Sequence, residues 1–195
     1  MVHIFRNPWR GGGIDGAGLL PLAEAGDVAA LLQRCPAHAA TPLRPAPDLA
    51  AELGIAALWL KDERARMGLG SFKALGAAHA IAREAAATGA EDLRHALRGR
   101  VYVTASAGNH GLSVAAGARL FGARAVIHVA ETVPDAFATR LQDKGAEVVR
   151  SGATYEDSMQ EAARAAEVQG WTLLSDSSWP GYTDLPLRVM EGYLQ

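Results

Sequence analysis

Gly70-Ser71-Phe72-Lys73 sets one amine at the head of an apolar run. Ala74, Leu75, Gly76, Ala77 and Ala78 follow it and bring no partner charge. An amine so placed is either solvated at a helix edge or partly buried, and the local residues alone favour the solvated reading. Burial would lower its pKa and free it to attack a carbonyl carbon. Further along, Ser106-Ala107-Gly108-Asn109-His110-Gly111 follows the run Val101-Tyr102-Val103-Thr104. Successive N–H groups at a helix start favour an anion such as a carboxylate. Asn109 offers both a donor and an acceptor and tolerates turn conformations. Alone, this loop is an ordinary strand-to-helix connection. It is neither the dinucleotide fingerprint Gly-x-Gly-x-x-Gly nor a Walker loop with Gly-Lys-Ser/Thr. Together, lysine and loop suggest an amine that carries a carbonyl group and a turn that holds the adduct, as amino-acid chemistry requires.

Regular elements must position these groups. Residues 27–34 predict a short helix with Asp27 as its N-cap, and 48–53 a helical turn. Residues 57–61 have the length of a buried strand. From Ser71 onward strands and helices alternate: helix 71–87, strand 101–104, helix 110–120, strand 125–129, helix 135–144, strand 147–149, helix 155–169 closed by Gly170, strand 171–174 and a helix opening at Pro186. That alternation predicts βαβ units, a parallel sheet and right-handed crossovers, hence an α/β fold of three αβα layers. Ligands of such sheets sit beyond the strands' carboxyl ends, where 106–111 and 175–178 both fall. Trp59 and Trp171 read as core. Glu84, Glu91, Asp92, Arg94 and Arg98 read as a solvated helix face. Residues 1–18 read as an irregular arm whose Gly11-Gly12-Gly13 is a turn or linker rather than a phosphate loop.

Bulk properties exclude several classes. A net charge of −2 argues against a nucleic-acid partner and gives no polybasic membrane patch. Cys35 is the only cysteine, so no intrachain disulfide forms and a reducing compartment is expected. No secretory signal or membrane-length apolar run is visible, which points to the cytoplasm. His3, His38, His79, His95 and His128 lack metal spacing, so no metal is expected.

Ser71-Phe72-Lys73 followed by Ser106-Ala107-Gly108-Asn109-His110 resembles the fold-type II family of pyridoxal-phosphate enzymes, which includes threonine dehydratase and the tryptophan synthase β chain. The resemblance implies pyridoxal 5'-phosphate as cofactor, bound as a Schiff base by Lys73. It implies that Asn109 bonds the cofactor's phenolic oxygen, with Phe72 beside it. Ser106, Ala107, Gly108 and His110 would hold the substrate carboxylate. A third segment narrows the match. Ser175-Asp176-Ser177-Ser178-Trp179-Pro180-Gly181-Tyr182, with Pro186 and Met190-Glu191-Gly192-Tyr193, is similar to the signature of diaminopropionate ammonia-lyases. So are Phe5-Arg6-Asn7 and Arg66-Met67-Gly68-Leu69-Gly70. The implied reaction is α,β-elimination of 2,3-diaminopropionate to pyruvate and ammonia. Asp176 matches an aspartate proposed to handle the α-proton, although an aspartate after a strand is equally often a turn cap. A homodimer acting on a small amino acid is the implied assembly.

Two departures bear on this. Many of these lyases carry a second aspartate just before the Gly-Asn pair, where this chain has Ala107. The loop there is closer to the dehydratases, and one substrate enantiomer, the L-form, should be favoured. The family's glycine-rich phosphate cup would fall past Gln195. The chain therefore reads as the N-terminal half of a longer enzyme. Residues 1–70 would form an arm and the first part of a large domain. Residues 71–195 would form the αβα lobe and the start of the return. A serine/threonine dehydratase is the alternative activity, and an inactive fragment that only binds a partner is the alternative class.

Overall fold

The computed structural model describes Pro8 and residues 26–194. The expectations placed on residues 1–18, including Gly11-Gly12-Gly13 and the Phe5-Arg6-Asn7 match, lie outside the described residues but for Pro8. The order is α1 (Gly26–Gln33), β1 (Leu43–Pro45), α2 (Pro47–Glu52), β2 (Trp59–Lys61), α3 (Lys73–Ala87), β3 (Val101–Ala105), α4 (Asn109–Leu120), β4 (Arg124–Val129), α5 (Asp135–Asp143), β5 (Glu147–Arg150), α6 (Tyr155–Gln169), β6 (Thr172–Leu173) and α7 (Asp184–Gly192).

Strands β3 to β6 form one parallel sheet in the order β5-β4-β3-β6. Its registers pair Val103 with Val126 on one side and with Leu173 on the other. The sheet is buried on both faces because β3 alternates between two cores. Tyr102 packs with Ile81, Val114, Ile127 and Leu174 under α3, α4 and α7. Val101, Val103 and Ala105 pack with Val126, Ala162 and Ala166 under α6. Apolar residues facing both ways along one strand are what a sheet covered by helices on both sides requires. Helix α6 is capped as its sequence demands. The Thr154 hydroxyl accepts the Asp157 N–H at 3.1 Å and the Asp157 carboxylate accepts the Thr154 N–H at 2.9 Å. Its last residue is Gln169, and Gly170 follows in the left-handed region. Helix α7 is tied to α3 through buried Glu191, which accepts Arg83 at 2.8 Å and is paired with Arg188.

Several expectations need correction. Trp59 is 57% exposed rather than core. Among the described residues its strand pairs only with β1, antiparallel, in a separate two-stranded sheet whose residues are all exposed. Within the described residues α1 already includes Gly26, so Asp27 is a helical residue and not a cap. Helix α7 begins at Asp184, two residues before Pro186. Glu84 is not merely solvated, since it accepts the buried Tyr102 hydroxyl at 2.6 Å and Arg100 at 2.8 Å. Among the described residues no helix is long and apolar enough to cross a membrane, and no group of histidine, cysteine and carboxylate residues is arranged to hold a metal.

Candidate active site

Lys73 opens α3. The Ser71 hydroxyl accepts the Lys73 N–H at 3.2 Å, and the Ser71 carbonyl accepts that of Ala74 at 3.1 Å. Ser71 thus satisfies donors that a helix start leaves free. The Lys73 side chain leaves the apolar helix face and its Nζ pairs with the Asp176 carboxylate. The lysine side chain is 37% exposed and the aspartate 19%. The amine is therefore sheltered but reachable, between the two readings its local sequence allowed. Asp176 does not act as a turn cap. That work falls to Ser175, whose hydroxyl accepts the Ser177 N–H at 3.1 Å.

Asn109 begins α4, directly past the end of β3, and is exposed. With Gly70, Ser71 and Phe72 it lines an open cleft of about 560 Å³. The Phe72 ring is 46% exposed and meets the Tyr193 ring edge-on at 5.1 Å. The Ser106 hydroxyl accepts the Gly108 N–H at 3.3 Å, Gly108 is exposed, and Ala107 packs against the core. A separate cavity of about 300 Å³ between Leu31, Met67 and Phe121 contains none of these residues.

The loop's tightness explains Gly111. A Cβ there would lie 2.2 Å from the Ser106 carbonyl oxygen and 3.1 Å from Leu141 Cδ2. Gly111→Ala must displace backbone that has nowhere to go. Overpacking of this kind costs about 1–3 kcal/mol. A thermal melt should show a Tm lower by roughly 2–4 °C for each kcal/mol.

His110 is buried beneath Asp176. Its Nε2 lies 2.8 Å from the Leu174 carbonyl oxygen, which can only accept, so Nε2 carries the hydrogen. Its Nδ1 is buried, has no hydrogen-bond partner among the described residues and faces Asp176 Oδ2 at 3.9 Å. Loss of water pushes the ring's pKa below its ordinary value. Burial alone would push the Asp176 carboxyl up. A charged His110 and then Lys73 would pull it down, and the net direction is down. Because the buried imidazole is driven towards its neutral form, the charge that keeps Asp176 ionised is that of Lys73.

Tyr155, Tyr182 and Tyr193 lie within reach of the Asp176 charge. Burial pushes the Tyr193 phenol up to about 12, and the Asp176 charge adds to it. Tyr155, opening α6 beyond the end of β5, is raised by burial and by the same charge. Tyr182 is also pushed up to about 12, chiefly by burial. The position of Tyr155 after a strand was the available signal, since loops beyond carboxyl ends build the sites of such sheets.

The donor set fits an aldehyde-bearing aromatic cofactor. It combines an accessible amine, an exposed amide on the same side, and an exposed ring next to the amine. A half-buried carboxylate accepts the amine's proton. A parallel sheet with a lysine, an asparagine loop and a carboxylate at one end is an arrangement able to form a Schiff base with an aldehyde. The family model described as "Pyridoxal-phosphate dependent enzyme" matches residues 35–193, and the chain belongs to that family. Its cofactor is pyridoxal phosphate.

Among curated relatives, the diaminopropionate ammonia-lyase of Salmonella typhimurium is 32% identical over 181 residues, covering 86% of this chain and 45% of that protein. The biosynthetic chloroplastic threonine dehydratase 1 of Solanum lycopersicum is 34% identical over 140 residues, covering 72% of this chain and 21% of that one. The selenomethionine holo diaminopropionate ammonia lyase of Escherichia coli superposes with a TM-score of 0.80 at 31% identity, covering 87% of this chain and 46% of that one. The chain thus spans less than half the length of these relatives.

Proposed function

We propose that this chain carries the lysine side of an ammonia-lyase site that eliminates ammonia from 2,3-diaminopropionate. The observation that carries the reading is the Lys73–Asp176 pair, which joins the nucleophilic amine to a proton acceptor. In this reading Lys73 binds pyridoxal phosphate through its amine. Asn109 and Phe72 hold the cofactor ring. The cofactor supplies an electron sink for charge developing at the substrate's α-carbon. Ser106, Ala107, Gly108 and His110 form the loop that receives the substrate carboxylate, with N–H groups at the start of α4 as donors. The Asp176 carboxylate takes the proton as the α-carbon–hydrogen bond breaks. Its charge also attracts the substrate's β-ammonium. The β-carbon–nitrogen bond then breaks and ammonia departs. Addition of one water yields pyruvate and a second ammonia, so atoms balance.

Ala107 favours a second reading. A loop without a second carboxylate suits a serine/threonine-type dehydratase, and the tomato threonine dehydratase shares 34% identity over 140 residues. Initial rates of keto-acid release from diaminopropionate, serine and threonine separate the two. The first reading expects diaminopropionate to be fastest, and a faster hydroxy-amino acid would replace it with the second.

With Asp176 as the one carboxylate proposed at the site among the described residues, one α-proton face is served by a carboxylate. L-Diaminopropionate should turn over about 100-fold or more faster than the D-form, the size of a lost general base. Equal initial rates for the two enantiomers would contradict this. The same reading carries a homodimer and a cytoplasmic location, supported by the family and by a lone cysteine. Sedimentation of the loaded protein tests the dimer. It also divides the chain near residue 70, supported by the separation of the β1–β2 pair from the parallel sheet.

A further inference from the structure

The segment bearing Asp176 is weakly anchored by the sheet. Strand β6 has two residues, Thr172–Leu173. The last ladder bond beyond it is the Leu174 N–H to the Val103 carbonyl at 2.8 Å. Backbone groups past that point must be satisfied by side chains or water. His110 Nε2 serves the Leu174 carbonyl at 2.8 Å, and a second side chain bridges the residues on either side of it. The Tyr182 hydroxyl donates to the Leu173 carbonyl at 2.8 Å and accepts the Ser175 N–H at 2.9 Å. It thereby clamps the chain on both sides of Leu174, immediately before Asp176.

The aim of this hydroxyl is built into the sequence. Trp179-Pro180-Gly181-Tyr182 closes with the Tyr182 N–H on the Trp179 carbonyl at 2.9 Å, and Gly181 has φ +88°. Proline second and a left-handed glycine third is the pattern of a type II turn. The turn folds the Tyr182 ring onto Trp179, with centroids 4.3 Å apart and planes at 24°. The stacked ring then points its oxygen at the strand end. Its single proton is engaged with Leu173, so the hydroxyl has none to offer a substrate.

We propose that Tyr182 is a positioning residue that sets the Asp176 carboxylate for proton transfer. The inference rests on the reading of Asp176 given above. The test is Tyr182→Phe in the pyridoxal-phosphate-loaded protein, which deletes one oxygen and keeps the stack on Trp179. Hydrogen exchange of the Ser175 amide should speed up about tenfold, since its acceptor is gone. The kcat should fall about 10- to 100-fold, the size of an ångström-scale misplacement, with KM within about twofold. In an Asp176→Asn background the same change should have no further effect on kcat.

An unchanged kcat in Tyr182→Phe, with Asp176→Asn slow, overturns the inference alone. An equal further loss in both backgrounds overturns it in favour of a general structural role. So does a collapse of the melting transition together with the cofactor's absorbance. Wild-type turnover by Asp176→Asn overturns the reading of Asp176, and this inference with it.

Discussion

Lys73→Ala is expected to bind pyridoxal phosphate without the visible imine band and to lose at least about a thousandfold in kcat, ~4 kcal/mol of barrier. The expectation comes from geometry. Lys73 directly follows Ser71 and Phe72, which line the cleft with Asn109, and its amine is paired to a carboxylate able to take its proton. The chain's other lysines are Lys61 and Lys144. Lys61 lines the cleft but donates to the Thr41 carbonyl at 2.5 Å, and Lys144 is the C-cap of α5. Neither is paired with Asp176. The fold should survive the change, because alanine is the best helix former and the lysine is partly exposed. Removing the cation also removes the charge that keeps Asp176 ionised, so the aspartate should titrate higher in this variant. Absorbance spectra and melts of the two proteins, side by side, check each part. A variant with the band intact and wild-type rate would contradict the account.

Asp176→Asn is expected to keep the imine band and lose about 10²- to 10⁴-fold in kcat, the range for a missing general base. The substitution keeps shape and removes only proton-accepting power. The environment argues for the role. Burial raises the Asp176 carboxyl and the positive charge beside it lowers it. When Lys73 is held in the imine, one of the pulls that lower the carboxyl is gone and the carboxyl becomes a stronger base than in the unloaded protein. The acid limb of the wild-type kcat/KM profile, which reports the free loaded enzyme, should accordingly lie above the Asp176 titration of the unloaded protein. That limb should vanish in Asp176→Asn. Stopped-flow and steady-state rates across pH measure both effects, and an unaltered profile would refute the role.

Much of this arrangement was legible because local chemistry and global fold agree. Val101-Tyr102-Val103-Thr104 is β-branched and aromatic, and a glycine turn follows it. The strand–loop–helix around Asn109 was therefore readable residue by residue. Gly170 marked the end of α6, while the Thr154 cap at its start went unread. What the sequence did not disclose depends on topology. Lys73 and Asp176 are 103 positions apart, and their meeting follows from the order β5-β4-β3-β6, which sets β6 beside β3. No pattern along the chain specifies that neighbour. The approach of Tyr155 and Tyr193 to Asp176 was hidden for the same reason. Trp59 misled because an apolar run of strand length reads the same whether it joins a covered sheet or a two-stranded pair with both faces open.

The central claim is that the Lys73 amine is the group that condenses with the cofactor's aldehyde. Its most direct test is borohydride reduction of the protein with pyridoxal phosphate, followed by digestion and mass mapping of Lys61, Lys73 and Lys144. The account predicts a reduced phosphopyridoxyl group on the Lys73 peptide alone. Label on Lys61 or Lys144 with Lys73 unmodified, or no label on any of the three, would contradict it.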